Sequence, residues 1–158
     1  MTIFVPSTPF GYTIFCDDIR QESNGKLIYL GVYQTDMTIF GTFPAILPTF
    51  TMMIRYNERR TDSGDPVTIK IFVPGNDQPV FQVTIDTATM RSALPRSDLP
   101  GEDEIISTLI PVRLSPLQIE TEGRIKVRAY KGDDEIRLGT LNVRIVPLPS
   151  PTQPAPVT

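Results

Sequence analysis

Apolar and polar residues alternate through Pro66-Val67-Thr68-Ile69-Lys70-Ile71-Phe72-Val73, and the same alternation returns in Gly123-Arg124-Ile125-Lys126-Val127-Arg128-Ala129-Tyr130. Successive side chains of a β-strand point to opposite faces, so each segment presents one apolar face and one polar face. Strands of this kind belong to sheets that are packed on one side and exposed on the other. The two segments therefore predict an all-β protein built from antiparallel sheets.

Other segments of strand-like composition are separated by prolines and turn residues, which brings the total to about nine strands. The predicted strands cover residues 11–20, 26–33, 35–41, 49–57, 66–74, 79–86, 104–114, 119–130 and 135–146. Turn signals at such short intervals favour two sheets packed face to face, in an immunoglobulin-like or C2-like sandwich. A closed β-barrel is the alternative. A helix of one or two turns is predicted only at 87–93, in a connection over 87–103 that would cross between the sheets.

Two turns and one irregularity can be placed within this pattern. Asn24-Gly25 predicts a type I′ hairpin between the first two strands, because both residues tolerate a positive φ. Lys131–Asp134 predicts a second hairpin near the end of the chain. In the last strand the apolar residues are at even-numbered positions up to Leu138 and at odd-numbered positions from Leu141. This shift predicts a β-bulge at Gly139.

The chain of 158 residues is divided into three parts by these patterns. Residues 1–10 form an N-terminal extension, and residues 11–147 form a single sandwich domain. Residues 148–158 are rich in proline and poor in bulky apolar side chains, so we predict a disordered tail.

Composition excludes several classes of chemistry. The chain has no histidine and a single cysteine, Cys16, which excludes Ser-His-Asp and Cys-His arrangements, histidine-containing zinc sites and thiolate clusters. We therefore predict no enzymatic activity and no cofactor. One cysteine favours a reducing compartment, and the N-terminus lacks the basic and continuous apolar regions of a signal peptide, so we expect a cytoplasmic protein without membrane insertion.

Asp17, Asp18 and Arg20 form a polar cluster directly after the apolar pair Ile14-Phe15. In one hypothesis this is a bend in the first strand, where an aspartate accepts backbone N–H bonds or pairs with Arg20. Asp18 would then face inward, because it shares the parity of Cys16. In the other hypothesis the two carboxylates bind a small ligand or a divalent cation, or serve a carboxylate-based hydrolytic enzyme.

Three acidic loops could contribute oxygens to a calcium site, although none has the spacing of a known calcium loop. They contain Asp62 and Asp65, Glu102 to Glu104, and Asp133 to Glu135. Solvated turn residues explain every one of them, and we favour that interpretation.

A basic stripe is predicted on the polar faces of the last two strands. It contains Arg124, Lys126, Arg128 and Arg137, with Arg144 further along. Such a stripe could bind an anionic partner, or it could be a solvated outer face that prevents edge-to-edge pairing. A nucleic acid is not expected, because the net charge is −3 and no aromatic residues alternate with these cations.

Several segments resemble a family of small uncharacterised bacterial proteins. The resemblance lies in a Cys-Asp-Asp-x-Arg, Gly-Lys and Gly-Val-Tyr series, seen here in Phe15–Arg20, Gly25–Leu27 and Leu30–Tyr33, followed by Leu47-Pro48. Glu122–Val127 and Leu141–Val143 resemble the final hairpin of the same group. The resemblance implies a bacterial source and a domain of unknown function, and it implies no role for any residue.

Taken together, these observations predict a non-catalytic interaction or structural module. Its partner would be another protein or a second copy of the chain. The alternative is the ligand-binding, cation-binding or hydrolytic protein built on Asp17, Asp18 and the loop acids.

Overall fold

The structure, a computed structural model, describes residues 8–62, 64–93 and 105–148. Twelve strands lie within these ranges. They are β1 (Phe10–Cys16), β2 (Asp18–Gln21), β3 (Leu27–Leu30), β4 (Asp36–Phe40), β5 (Ala45–Leu47), β6 (Phe50–Arg59), β7 (Val67–Phe72), β8 (Phe81–Ile85), β9 (Ile105–Leu114), β10 (Leu117–Ile119), β11 (Gly123–Lys131) and β12 (Asp134–Val146). A 3-10 turn spans Arg60–Asp62, and the helix α1 spans Thr87–Ala93.

The strands form two main sheets. One has three strands in the order β1-β6-β9, and the other has five in the order β4-β12-β11-β7-β8. All pairs are antiparallel except β4 with β12, which is parallel. Two smaller sheets, β2-β3 and β5-β10, lie beside them. The all-β sandwich is confirmed, and the barrel alternative is wrong for the part of the chain that the structure describes, since neither main sheet closes on itself.

The core lies between the two main sheets, on the faces that the sequence alternation predicts. Ile69, Ile71, Ile125 and Val127 are all fully buried. They pack with inward residues of the three-stranded sheet such as Ile54 in one apolar cluster. The polar residues between them therefore point outward, which fixes the composition of the outer face of the five-stranded sheet.

The strand boundaries differ from the prediction in three places. The predicted strand 11–20 is divided at Asp17, where the chain bends and β2 begins a separate hairpin. The predicted strand 119–130 is also divided, because β10 pairs with β5 before β11 enters the five-stranded sheet. Apolar residues occupy odd-numbered positions both before and after the break, so the sequence does not indicate that the chain moves from one sheet to another. The short strand β5 lies between two prolines, in a segment that falls outside the predicted strands.

The turns follow the prediction with one correction. β2 and β3 do form a hairpin, and Gly25 N–H donates to the Glu22 carbonyl at 2.9 Å. Gly25 has a φ of 84°, but no residue other than glycine among those described has a positive φ, so Asn24 does not make the type I′ turn. A type I turn completed by a glycine at positive φ gives the same reversal. The second hairpin is confirmed, because β11 and β12 pair from Lys131 and Asp134 onward.

The helix at Thr87–Ala93 is confirmed, and it follows β8 of one sheet while β9 belongs to the other. The remainder of the connection, 94–104, lies outside the described residues. So do residues 1–7 of the predicted extension and residues 149–158 of the predicted tail. In the parts of the chain that are described, no helix has both the length and the apolar character needed to cross a membrane.

Candidate functional site

The outer face of the five-stranded sheet brings together cations from three strands. We call it the cationic face and define it by Lys70, Arg124, Lys126, Arg128 and Arg137. Arg128 on β11 lies opposite Arg137 on β12 and opposite Lys70 on β7, so one row of the sheet carries three cations. The sequence predicted four of these residues but missed Lys70, because the pairing of β7 with β11 is not visible in the pattern.

A β-bulge organises this face. Val127 pairs with Gly139 and Arg128 pairs with Arg137, so Leu138 is an extra residue in β12. This confirms the predicted bulge and explains the change of apolar parity, since Leu138 and Leu141 are both buried in the core.

The Arg128 side chain fills the irregularity that the bulge creates. Its Nη1 donates to the carbonyls of Val127 at 2.9 Å and Gly139 at 3.0 Å. Its Nε lies 3.3 Å from Glu135 Oε1, and only 11% of the side chain is exposed. Arg128 therefore serves the fold, and its charge is already compensated.

The other cations of the face are differently placed. Arg124, Lys126 and Arg137 are exposed, and none of them makes an ion pair with any described residue. Lys70 Nζ lies 5.1 Å from the centroid of the Tyr130 ring, a cation–π contact. Arg124, Lys126 and Arg137 are thus three exposed cations on one surface that have no acidic partner among the described residues.

Arg144 does not belong to this group, although it lies on β12, the same strand as Arg137. Its Nε lies 3.0 Å from Asp36 Oδ1 on β4, and Asn142 Nδ2 donates to the same oxygen at 3.1 Å. The edge strand β4 therefore neutralises this end of the predicted stripe.

The unpaired cations line an open groove of about 910 Å³. The loop after β7, from Pro74 to Asp77, forms one side of it. Four cations line the groove (Arg124, Lys126, Arg128 and Arg137), and three acids line it as well (Asp77, Glu122 and Glu135). The lining is therefore only slightly positive. An arginine guanidinium presents paired donors that match a carboxylate, so the groove can bind discrete carboxylates.

The structure places Asp17 at the bend between β1 and β2. The Tyr33 hydroxyl donates to its carboxylate, and Thr51 Oγ1 donates to its backbone carbonyl at 3.2 Å. Gly31, with a φ of 64°, approaches so closely that a Cβ at this position would overlap the Asp17 carboxylate. Burial, together with the hydrogen bond to Asp17, raises the pKa of Tyr33, so its hydroxyl stays protonated as the donor.

Asp18 has different partners, and the prediction that it faces inward is wrong. Because the strand breaks at Asp17, the alternation of inward and outward residues that includes Cys16 does not continue to Asp18. The Asp18 side chain is 30% exposed. Arg20 Nε lies 3.2 Å from its carboxylate, Ile19 N–H donates to it at 3.0 Å, and Arg113 from β9 forms an ion pair with it. The hydrogen bond from Arg20 is the main cause of its lowered pKa. Arg113 is 95 residues away in sequence, so no local pattern could identify it.

The acidic loops are not brought together. Within the described ranges, no three histidine, cysteine, aspartate or glutamate side chains form a group that could hold a metal ion. Glu102 to Glu104 lie outside those ranges.

A buried ion pair at the end of the core was not predicted. Lys131 Nζ lies 2.7 Å from Glu58 Oε2 and donates to the Asp62 carbonyl at 2.6 Å. Tyr56 Oη donates to the same glutamate at 3.1 Å, and burial raises the pKa of this tyrosine. Glu58 lies on β6 and shares the inward parity of Ile54 and Tyr56, so the alternation of this strand was the signal available in the sequence.

One comparison with known proteins gives a match. The model of a family described as "Family of unknown function (DUF6941)" matches residues 11–144. No curated protein and no solved structure matches the chain.

Proposed function

The chain belongs to the DUF6941 family of unknown function, and from this premise we propose that it is a non-catalytic interaction module of the bacterial cytoplasm. Its binding surface is the cationic face, and its partner is another protein. The observation that carries the proposal is the set of three exposed cations, Arg124, Lys126 and Arg137, that line one groove without an acidic partner among the described residues.

The cationic face contrasts with the net negative charge of the whole chain. The whole chain has a formal net charge of −3, so the concentration of unpaired cations on one face is a local feature and does not follow from composition. Neighbouring cations two residues apart on a strand are about 7 Å apart, and their repulsion in water is about 0.6 kcal/mol. The fold tolerates a cost of this size, and an acidic partner would relieve it.

The alternative based on Asp17 and Asp18 has less support. A divalent cation at Asp18 would have to displace Arg20 and Arg113, and at Asp17 it would compete with the Tyr33 hydroxyl. Both aspartates are explained by the bend that they stabilise. These contacts support the hypothesis that the cluster stabilises a bend in the first strand.

The proposal is tested by capture experiments with a matched pair of variants. Lys126→Glu reverses a charge on the cationic face, whereas Lys26→Glu reverses an exposed lysine at the β2–β3 turn. Wild type and Lys26→Glu, immobilised and exposed to a bacterial lysate, should retain the same proteins. Lys126→Glu should lose them, and so should wild type at high salt, since surface charges are screened there. Identical retention by all three chains, or no retention by wild type, would contradict the proposal.

A further inference from the structure

The arrangement of charges on the cationic face also specifies the chemistry of its partner. We infer that it binds an extended acidic segment of another protein that carries carboxylates at three alternate positions. This inference rests on the proposed function, because it assumes that the groove is the binding surface.

The first step is the spacing of the cations along β11. Arg124 and Lys126 are two residues apart on the same face of one strand, and a strand advances about 3.3 Å per residue. An extended peptide that lies along β11 directs every second side chain toward the sheet, at the same interval. Carboxylates at alternate positions therefore meet successive cations, whereas consecutive acids cannot all face the sheet.

The second step is the identity of the third cation. The next outward residue of β11 is Arg128, but its guanidinium is held by two backbone carbonyls and Glu135. Arg137 lies directly opposite it on β12, is exposed and has no ion pair with a described residue. Arg137 therefore supplies the third contact, displaced sideways by one strand.

The third step is the limit on the length of the acidic run. Glu122 lies two residues before Arg124, and Glu135 lies opposite Tyr130, one row beyond Arg137. Both line the groove, so an acidic residue lies at each end of the run of cations. A nucleic acid carries a charge on every phosphate and would extend past both acids, whereas a segment with three carboxylates ends where these acids begin. Charge complementarity therefore favours the acidic segment over a polyanion.

The inference is tested with short fluorescent peptides and the wild-type chain. Glu-Ser-Glu-Ser-Glu has carboxylates at alternate positions, and Glu-Glu-Glu-Ser-Ser has the same composition and charge. We expect the alternating peptide to bind about tenfold more tightly than its isomer at low ionic strength. Lys126→Glu should weaken its binding about tenfold or more, while Lys26→Glu should leave it within about twofold of wild type. Oligothymidylate should bind more weakly than the alternating peptide.

Equal affinity for the two peptides, tighter binding of oligothymidylate, or no binding of the alternating peptide would overturn the inference. The proposed function would still stand if protein capture depended on Lys126 but not on Lys26. It would fail separately if capture were indifferent to both lysines, whatever the peptides did.

Discussion

Arg137 lies directly opposite Arg128 across the β11–β12 pair, yet the fold uses only one of these two arginines. Arg128 is largely buried against the carbonyls of Val127 and Gly139, and Arg137 is exposed without an ion pair to any described residue. The bulge at Leu138 shifts the register at this row, and Arg128 donates to a carbonyl on each of the two strands beside it.

The first prediction follows from this difference. Arg128→Ala should destabilise the protein by about 1–3 kcal/mol, because it removes the hydrogen bonds that a largely buried guanidinium donates to two backbone carbonyls. Arg137→Ala should change stability by less than about 0.5 kcal/mol, as an exposed substitution does. Urea unfolding of the two variants measures both values. Equal costs would show that Arg128 does not stabilise the bulge.

The second prediction concerns the core between the sheets. Ile71→Ala and Ile125→Ala should each cost about 2–5 kcal/mol, since both side chains are fully buried and truncation leaves a cavity. Lys70→Ala and Lys126→Ala, the outward neighbours, should cost little. Urea titrations compare the pairs, and a larger effect at the lysines would mean that the strands were placed one residue out of register.

The third prediction concerns the buried ion pair of Glu58 and Lys131. Lys131→Met should cost about 3–5 kcal/mol, because it leaves a carboxylate buried without its cation. Glu58 is 1% exposed, so water cannot replace the lost partner. The double variant Glu58→Leu with Lys131→Met should be much closer to wild type. A double-mutant cycle in urea measures the coupling, and additive effects would contradict this account.

The fourth prediction concerns the pH dependence that Asp18 confers. Its pKa is lowered from 3.8 in the folded state, so its contribution is fully present above pH 3.8 and is lost as the pH falls through the lowered value. Asp18→Asn should remove that part of the acid sensitivity and reduce stability at neutral pH by breaking the pairs with Arg20 and Arg113.

Thermal unfolding of wild type and Asp18→Asn across a range of pH measures the acid sensitivity, and the same comparison with and without calcium tests for a cation site. Asp133→Asn in the exposed hairpin turn serves as the control. Calcium should change neither melting temperature. A more stable Asp18→Asn protein without metal, together with calcium stabilisation of wild type that this variant loses, would instead support the cation-site hypothesis.

The fifth prediction concerns Cys16. Its side chain is fully buried, and burial is the main cause that raises its pKa to about 11. The native protein should therefore resist alkylation by iodoacetamide at mildly alkaline pH, because the thiolate is the reactive form. Unfolding in urea should restore the reaction, and mass spectrometry measures it. Rapid modification of the native chain would show that the β1–β6 region opens.

Features that depend on residues close together in the chain can be predicted from the amino-acid sequence. Period-two alternation identified the buried faces of β7 and β11, turn residues located two hairpins, and the change of parity between Leu138 and Leu141 located the bulge. Each follows from local geometry, because side-chain direction and turn conformation are set within a few residues.

The order of the strands in each sheet is visible only in the folded protein, and the candidate site depends on that order. Lys70 joins the cationic face because β7 pairs with β11, Arg113 reaches Asp18 from β9, and Glu58 meets Lys131 across the core. The bulge was predicted, but the burial of Arg128 and the exposure of Arg137 emerge only when the paired strands are seen. These contacts join residues that are distant in sequence, and strand order arises from the burial of apolar faces across the whole domain, which no local pattern records.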